Sequence, residues 1–197
     1  MSILVKVCGL REEQHVNAAV DAGADALGFV FAKSPREITP MDAASISVNV
    51  PAHILRVAVM LHPTNEEWQT VLSEFFPDVL QTDAQDFESL DVPDSVGKWP
   101  VFREGGTYPI NSDTYIFEGE KSGHGETVDW SRAATIAENG RMILAGGLFA
   151  NNVTRAITTV RPFGVDVSSG IESMPGQKDV QLIKEFISAV RSAEKDL

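Results

Sequence analysis

The chain has a single cysteine among its 197 residues, which excludes an internal disulfide framework and any metal site built from several thiolates. Long apolar runs are also missing, because none approaches the ~18 residues that a membrane-spanning helix requires. The first residues lack the basic segment and apolar stretch of a signal peptide. We therefore expect a cytoplasmic protein with no membrane partner, in which Cys8 is either a packed small side chain or a reactive thiol.

Basic residues are scarce: 16 Lys and Arg stand against 28 Asp and Glu, for a net charge of −12. No stripe rich in Lys or Arg offsets this balance, which argues against a nucleic-acid partner. The four histidines show none of the spacings of a metal site, so we expect no metal and no organic cofactor. An anionic ligand would have to be held by a few local residues.

The sequence alternates strand-like apolar segments with stretches of helical periodicity, which is typical of an α/β protein with a parallel sheet. The strands are predicted at 3–8, 24–31, 57–61, 78–81, 98–103, 114–118, 142–144 and in the first part of 163–170. Eight such units, without a linker or a composition shift, predict one (β/α)₈ TIM barrel domain over residues 1–197. The connection from Arg103 to Thr114 contains Gly105, Gly106 and Pro109. It predicts a missing or reduced fifth helix.

Local signals mark where several helices begin. Thr64 and Glu67 form the pattern of a capping box, and Asp129 is a suitable cap for the helix that follows strand six. Another helix is predicted to start near Pro40. After strand four, only one or two turns of helix are predicted, over Asp86 to Leu90, because Pro93 follows closely.

Two consecutive strands end in small residues suited to an anion. The eighth strand stops in Ser168-Ser169-Gly170, which offers hydroxyl groups and backbone N–H groups without bulky side chains. The seventh ends in Gly146-Gly147. Because the loops after strands seven and eight of a TIM barrel are neighbours, we predict a phosphate site there. The alternative is that both motifs are ordinary turns.

Reactive side chains occur at the predicted carboxyl ends of other strands, where TIM barrels place their active sites. These candidates are Cys8, Arg36, Asp83, Arg103, Glu118 and Asp166. A thiol, carboxylates and arginines beside a phosphate site indicate proton transfer on a phosphorylated, acidic small molecule, that is, an isomerisation. The alternatives are an inert buried Cys8, a solvated Arg36 and a surface Glu118. His124 is interpreted as a loop residue, or as a group that tunes the nearby carboxylate.

Six segments are distinctive in residue type, order and spacing. They are VKVCGL at 5–10, AGADALGFVF at 22–31, KSPREITP at 33–40, DW at 129–130, AGGL at 145–148 and RPFGVDVSSGIE at 161–172. In these motifs, from Lys6 to the last helix, the chain resembles the phosphoribosylanthranilate isomerase family of tryptophan biosynthesis. The resemblance implies an Amadori rearrangement of N-(5-phosphoribosyl)anthranilate to 1-(2-carboxyphenylamino)-1-deoxyribulose 5-phosphate, without metal or organic cofactor.

The resemblance also implies roles for individual residues. Cys8 matches the general base that removes the proton from ribose C2, Arg36 matches the arginine for the anthranilate carboxylate, and Asp166 matches an active-site aspartate. Gly147, with the preceding Gly146, and Ser168-Ser169-Gly170 match the phosphate site.

The chain departs from the family pattern in three places. Glu118 stands where the family has its aspartate general acid, so we expect Glu118 to be the acid. Asp83 replaces the histidine after strand four, and 122–125 (SGHG) replaces a Gly-rich loop.

Two other functions are alternatives at this point. One is a histidine-pathway type of phosphosugar isomerase, which resembles this chain in its phosphate loops but uses an aspartate where Cys8 stands. The other is a non-catalytic phosphometabolite-binding protein, suggested by the altered acid loop. The expected partner is a phosphorylated small molecule, and a monomer is expected, with a dimer as the alternative.

Overall fold

The computed structural model describes residues 2–107, 112–119 and 128–196. Eight parallel strands close into a barrel in chain order, with β1 paired to both β2 and β8. The strands are β1 Leu4–Cys8, β2 Ala26–Val30, β3 Leu55–Val59, β4 Val79–Asp83, β5 Gly97–Arg103, β6 Ser112–Glu118, β7 Gly140–Leu144 and β8 Gly164–Val167. The predicted TIM barrel is confirmed.

Helices surround the barrel. They are α1 Glu13–Ala22, α2 Pro40–Ile46, α3 Asn65–Phe75, α4 Trp130–Ala137, α5 Val153–Val160 and α6 Val180–Ala193. None of the helices in the described ranges is long and apolar enough to cross a membrane. The connection after β4 is a short 3₁₀ helix, Ala84–Glu88, as the sequence predicted. Between β5 and β6, the described residues 104–107 form a turn and no helix, while Pro109 lies outside the described residues.

The predicted helix starts have their expected capping contacts. The Thr64 hydroxyl accepts a hydrogen bond from the Glu67 backbone N–H, and the Glu67 carboxylate accepts one from the Thr64 N–H at 2.8 Å. Asp129 caps α4 by accepting from the N–H groups of Ser131 and Arg132. These contacts satisfy N–H groups that have no partner within the helix.

Side-chain alternation along the strands positions the site. Outward residues such as Val5 and Val165 pack against the helices, whereas inward residues such as Val57 and Ile116 fill the barrel interior. Because successive residues of a strand face opposite sides, each last inward position lies at the carboxyl-end mouth. Five predicted site residues occupy such positions: Cys8, Asp83, Arg103, Glu118 and Asp166.

A small antiparallel hairpin, β9 Glu172–Met174 and β10 Gln177–Lys178, follows β8 and was not predicted. Its strands are too short to show any periodicity in the sequence. The hairpin turn packs closely on the loop after β2, since a Cβ on Gly176 would lie 2.3 Å from the Pro35 carbonyl oxygen. Two loops from distant parts of the sequence therefore form one wall of the mouth.

Candidate active site

A cavity of about 840 Å³ opens at the carboxyl ends of the strands. The predicted site residues around it are Cys8, Arg36, Asp83, Arg103, Glu118, Asp166, Ser168 and Ser169. The structure therefore brings the thiol, the arginines, the carboxylates and the end of β8 to one mouth.

Cys8 ends β1 and is only 6% exposed. Its Sγ faces Gly28 of β2, where a Cβ would lie 2.9 Å from the sulfur and 3.2 Å from Lys6 Nζ. Burial raises the pKa of the Cys8 thiol, and the charges of Lys6 and Lys178 oppose this effect. A glycine at position 28 thus leaves room for a thiol and an ammonium group side by side.

Lys6 and Asp166 form a buried ion pair across β1 and β8, with Nζ 2.9 Å from Oδ1. Burial alone would lower the pKa of Lys6, but the neighbouring Asp166 and Cys8 outweigh it and the pKa is raised. Lys6 is therefore charged. Asp166 was predicted as a site residue and Lys6 was not, although a lysine two residues before Cys8 must share its inward face.

Arg36 lies at the cavity wall in the loop after β2, and its guanidinium is already oriented by a carboxylate. Its Nε and one terminal nitrogen donate to Glu172 Oε1 at 2.7 Å and Oε2 at 2.9 Å. Its aliphatic stem packs on Gly9, where a Cβ would lie 2.7 Å from Arg36 Cδ. The hydrogen bonds to Glu172 raise the pKa of Arg36, so its charge is fixed. Glu172 ends the 161–172 motif, but no role was predicted for it.

Lys178 of β10 links the hairpin to the end of β8. Its Nζ donates to Ser168 O at 2.9 Å and to Glu172 Oε1 at 2.7 Å. The Ser168 hydroxyl in turn donates to the Cys8 carbonyl at 3.2 Å. Burial lowers the pKa of Lys178, and Glu172 partly offsets that effect. These contacts tie the ends of β8 and β1 together. Lys178 was not predicted, because a strand of two residues has no recognisable pattern.

The two Gly-containing loops after β7 and β8 touch each other. Gly146 and Gly147 have φ values of 90° and 58°, in the left-handed region that favours glycine. Asn152 holds this loop by donating to the Gly147 carbonyl at 2.8 Å. Gly170 packs against the same loop, because a Cβ on it would lie 1.9 Å from the Leu148 carbonyl oxygen. The predicted phosphate-binding residues are therefore adjacent in space.

Glu118 lies at the end of β6 and pairs with Arg103, whose other terminal nitrogen hydrogen-bonds Asp83. The distance from Arg103 Nη2 to Glu118 Oε1 is 3.1 Å. One guanidinium therefore holds the carboxylates at the ends of β4 and β6. His124, interpreted from the sequence as a loop residue or as a tuning group for this carboxylate, lies outside the described residues, as do its neighbours in 120–127.

His62 extends this network at its exposed end. Its Nε2 lies 3.6 Å from Asp83 Oδ2 and its Nδ1 lies 3.0 Å from Asp86 Oδ1. The hydrogen bond with Asp86 raises the pKa of His62. No role was predicted for this histidine from the sequence.

Gln81 is a further residue that was missed. It lines the cavity from β4 and is 6% exposed. Within residues 2–107, 112–119 and 128–196, its Oε1 has no hydrogen-bond partner. Since buried polar atoms are normally paired, this oxygen is suited to accept a hydrogen bond from a bound ligand.

Comparison with known proteins shows the family of the chain. Residues 5–189 match the family model for N-(5'-phosphoribosyl)anthranilate isomerase. The chain belongs to this family. It catalyses the Amadori rearrangement of N-(5'-phosphoribosyl)anthranilate in tryptophan biosynthesis, as the resemblance implied, and this assignment replaces both alternatives.

Relatives and solved structures agree over nearly the whole chain. The isomerase of Listeria monocytogenes serotype 4b (strain CLIP80459) is 37% identical and covers 98% of this chain and 100% of its own length. The isomerase of Thermotoga maritima, which is a dimer, is 30% identical, with a TM-score of 0.81 over 96% of this chain and 99% of its own. A structure in complex with reduced 1-(o-carboxyphenylamino)-1-deoxyribulose 5-phosphate is 30% identical, with a TM-score of 0.79 and the same coverage.

Proposed function

We propose that this isomerase uses Cys8 as the general base and Glu118 as the general acid. The reaction requires an acid to protonate the ribose ring oxygen, which opens the ring, and a base to remove the proton from C2. The observation that carries the assignment is the position of these two side chains on β1 and β6, at the same mouth but three strands apart around the closed barrel. This separation allows them to act on opposite sides of one substrate.

The substrate would be anchored at its two charged ends. The β7 and β8 loops, with Gly146-Gly147 and Ser168-Ser169-Gly170, would bind the phosphate through backbone N–H and hydroxyl groups. Arg36, oriented by Glu172, would bind the anthranilate carboxylate. Because β7, β8, β1 and β2 are consecutive in the barrel, a substrate held at both ends places its ribose over Cys8.

Asp166 and Gln81 would contact the middle of the substrate. Asp166 retains 9% exposure at the cavity wall, so it can accept a hydrogen bond from a sugar hydroxyl while Lys6 holds its other side. Gln81 Oε1, which lacks a partner among the described residues, can accept a hydrogen bond from a hydroxyl or from the anilino N–H. The substrate would thereby satisfy a buried acceptor.

The identity of the acid is tested by removing each carboxylate beside Arg103 in turn. Loss of substrate fluorescence measures turnover, and we expect Glu118→Gln to reduce kcat at least about 100-fold while product binding is retained. Asp83→Asn is the matched control, because it removes the second carboxylate from the same guanidinium. Glu118→Asp should keep measurable activity. Normal turnover of Glu118→Gln, together with an inactive Asp83→Asn, would assign the acid to Asp83.

We also propose that the protein acts in the cytoplasm as a monomer with one domain over residues 1–197. All eight strands, β1 to β8, belong to one closed barrel in chain order, which supports a single domain. Sedimentation equilibrium of the purified protein tests the monomer directly, since a mass of twice the 21.4 kDa chain would show a dimer.

A further inference from the structure

Lys6 is a charged residue in the barrel interior, where apolar side chains such as Val57 and Ile116 also lie. Its side chain is completely buried, and its Nζ contacts Asp166 Oδ1 at 2.9 Å. The space above Gly28 is bordered by Lys6 Nζ and Cys8 Sγ together, at 3.2 and 2.9 Å from the position of a Cβ. The ammonium group is therefore a direct neighbour of the thiol.

A buried ammonium group is costly for stability, even when it is paired. Replacement of a buried ion pair by apolar residues of similar volume is often neutral or stabilising. The barrel interior uses such residues elsewhere, for example Val57 and Ile116. A need for positive charge beside Cys8 would account for the lysine at this position.

We propose that Lys6 is a positioning residue for the proton transfer: its ammonium group, held in place by Asp166, stabilises the negative charge on Cys8 Sγ and so increases the fraction of the base that is present as thiolate. This inference rests on the proposed role of Cys8. No substrate contact is required of Lys6.

Other charged groups also face Cys8. Asp166 from β8 opposes the thiolate, whereas Lys178 from β10 and Arg36 from the loop after β2 favour it. Glu172 contacts both of these cations. Among the groups that lower the pKa of Cys8, Lys6 has the largest effect, through its charge and through a hydrogen bond.

The single cysteine permits a direct test without turnover. The ultraviolet absorbance of the thiolate, titrated against pH with Cys8→Ser as the blank, reports the ionisation of Cys8 alone. Removal of an opposite charge within hydrogen-bond reach shifts a pKa by about 1–3 units. We therefore expect Lys6→Met to move the midpoint to higher pH by at least about one unit, with the thiolate fraction at a pH well below both midpoints reduced at least about tenfold.

Three further variants control for folding defects and for general charge effects. Lys6→Met leaves Asp166 buried without its partner, so the same comparison is repeated between Asp166→Asn and the double variant Lys6→Met/Asp166→Asn. The matched control is Lys98→Met, which removes an exposed lysine from β5. It should leave the midpoint unchanged.

The proposal is supported if both Lys6→Met comparisons move the midpoint and the acidic limb of the pH profile of kcat moves with it. An unchanged midpoint in the folded variants overturns it, whatever the kinetics. A shifted midpoint with an unchanged kcat profile overturns the role of Cys8 as base, and with it the use of Lys6 in the reaction. Failure of the electrostatic coupling is thus distinguished from failure of the proposed function.

Discussion

Replacement of Gly170 by alanine tests whether the contact between the β7 and β8 loops creates the phosphate site. A Cβ at this position would lie 1.9 Å from the Leu148 carbonyl oxygen, whereas real Cβ atoms essentially never come closer than 3.0 Å. The obstructing oxygen belongs to the backbone, so rotation of a side chain cannot relieve the clash. The φ of Gly170 is outside the left-handed region, which means that the expected effect is steric rather than conformational.

The size of the effect follows from this geometry. The two loops must separate by about 1.1 Å to accommodate the methyl group. A displacement of about 1 Å is enough to cost as much as 100-fold in a precisely arranged site. A hydrogen bond to a charged group contributes about 1.5–3 kcal/mol, so the loss of one phosphate contact corresponds to roughly 10- to 100-fold in affinity. We expect the KM of Gly170→Ala to rise at least about tenfold.

The assay is steady-state kinetics by loss of substrate fluorescence, combined with calorimetric titration of the product. Gly97→Ala is the matched control, because Gly97 begins β5 at the opposite end of the barrel and its new Cβ would come closest to a Val79 methyl group, at 3.2 Å. Circular dichroism of both variants should match the unmodified protein. A KM for Gly170→Ala within about twofold of the unmodified value, in a folded protein, would refute phosphate binding at these loops.

Four other substitutions test the remaining contacts. Cys8→Ser should reduce kcat at least about 100-fold with the fold intact, because a hydroxyl is a much poorer proton acceptor than a thiol group near neutral pH. Wild-type turnover of this variant would exclude Cys8 from the mechanism. Arg36→Met should raise KM at least about tenfold, because it removes the charge-assisted hydrogen bonds to the substrate carboxylate. Glu172→Gln should raise KM less. An unchanged KM in Arg36→Met would contradict binding of the carboxylate by Arg36. Gln81→Met should raise KM about three- to tenfold with a normal melting temperature, as expected for the loss of one neutral hydrogen bond. An unaltered KM would show that Gln81 Oε1 does not contact the substrate.

Much of the fold was predictable from local signals. The strands that were expected near 3–8 and 98–103 appear as Leu4–Cys8 and Gly97–Arg103, because apolar strand segments separated by helical periodicity leave few other architectures. The third strand was placed two residues too late, at 57–61 instead of Leu55–Val59. Leu61 is half exposed, so its apolar character did not mark a buried strand position.

The partners of the candidate residues were less predictable than the residues themselves. Cys8 and Glu118 could be named because a strand end determines which side chains reach the mouth. The contacts of Arg36 with Glu172 and of Lys178 with Ser168 depend on a hairpin of five strand residues, for which the sequence carries no periodic signal. The position of Lys6 could have been predicted from the sequence, because strand alternation places it on the same inward face as Cys8.

The pairing of β1 with β8 has a consequence for how the enzyme gains activity as it is made. Lys6 and Asp166 are 160 residues apart in sequence, yet they are direct partners in the closed sheet. Contacts between such distant segments form late, after the chain entropy of the intervening loop has been lost. Cys8 therefore gains Asp166 and Lys178 as neighbours, and Lys6 gains its partner, only when β8 and the hairpin that follows it dock. A growing or truncated chain that lacks β8 also lacks Asp166 and the proposed phosphate-binding residues Ser168-Ser169-Gly170, so we expect activity recovered during refolding to follow closure of the barrel.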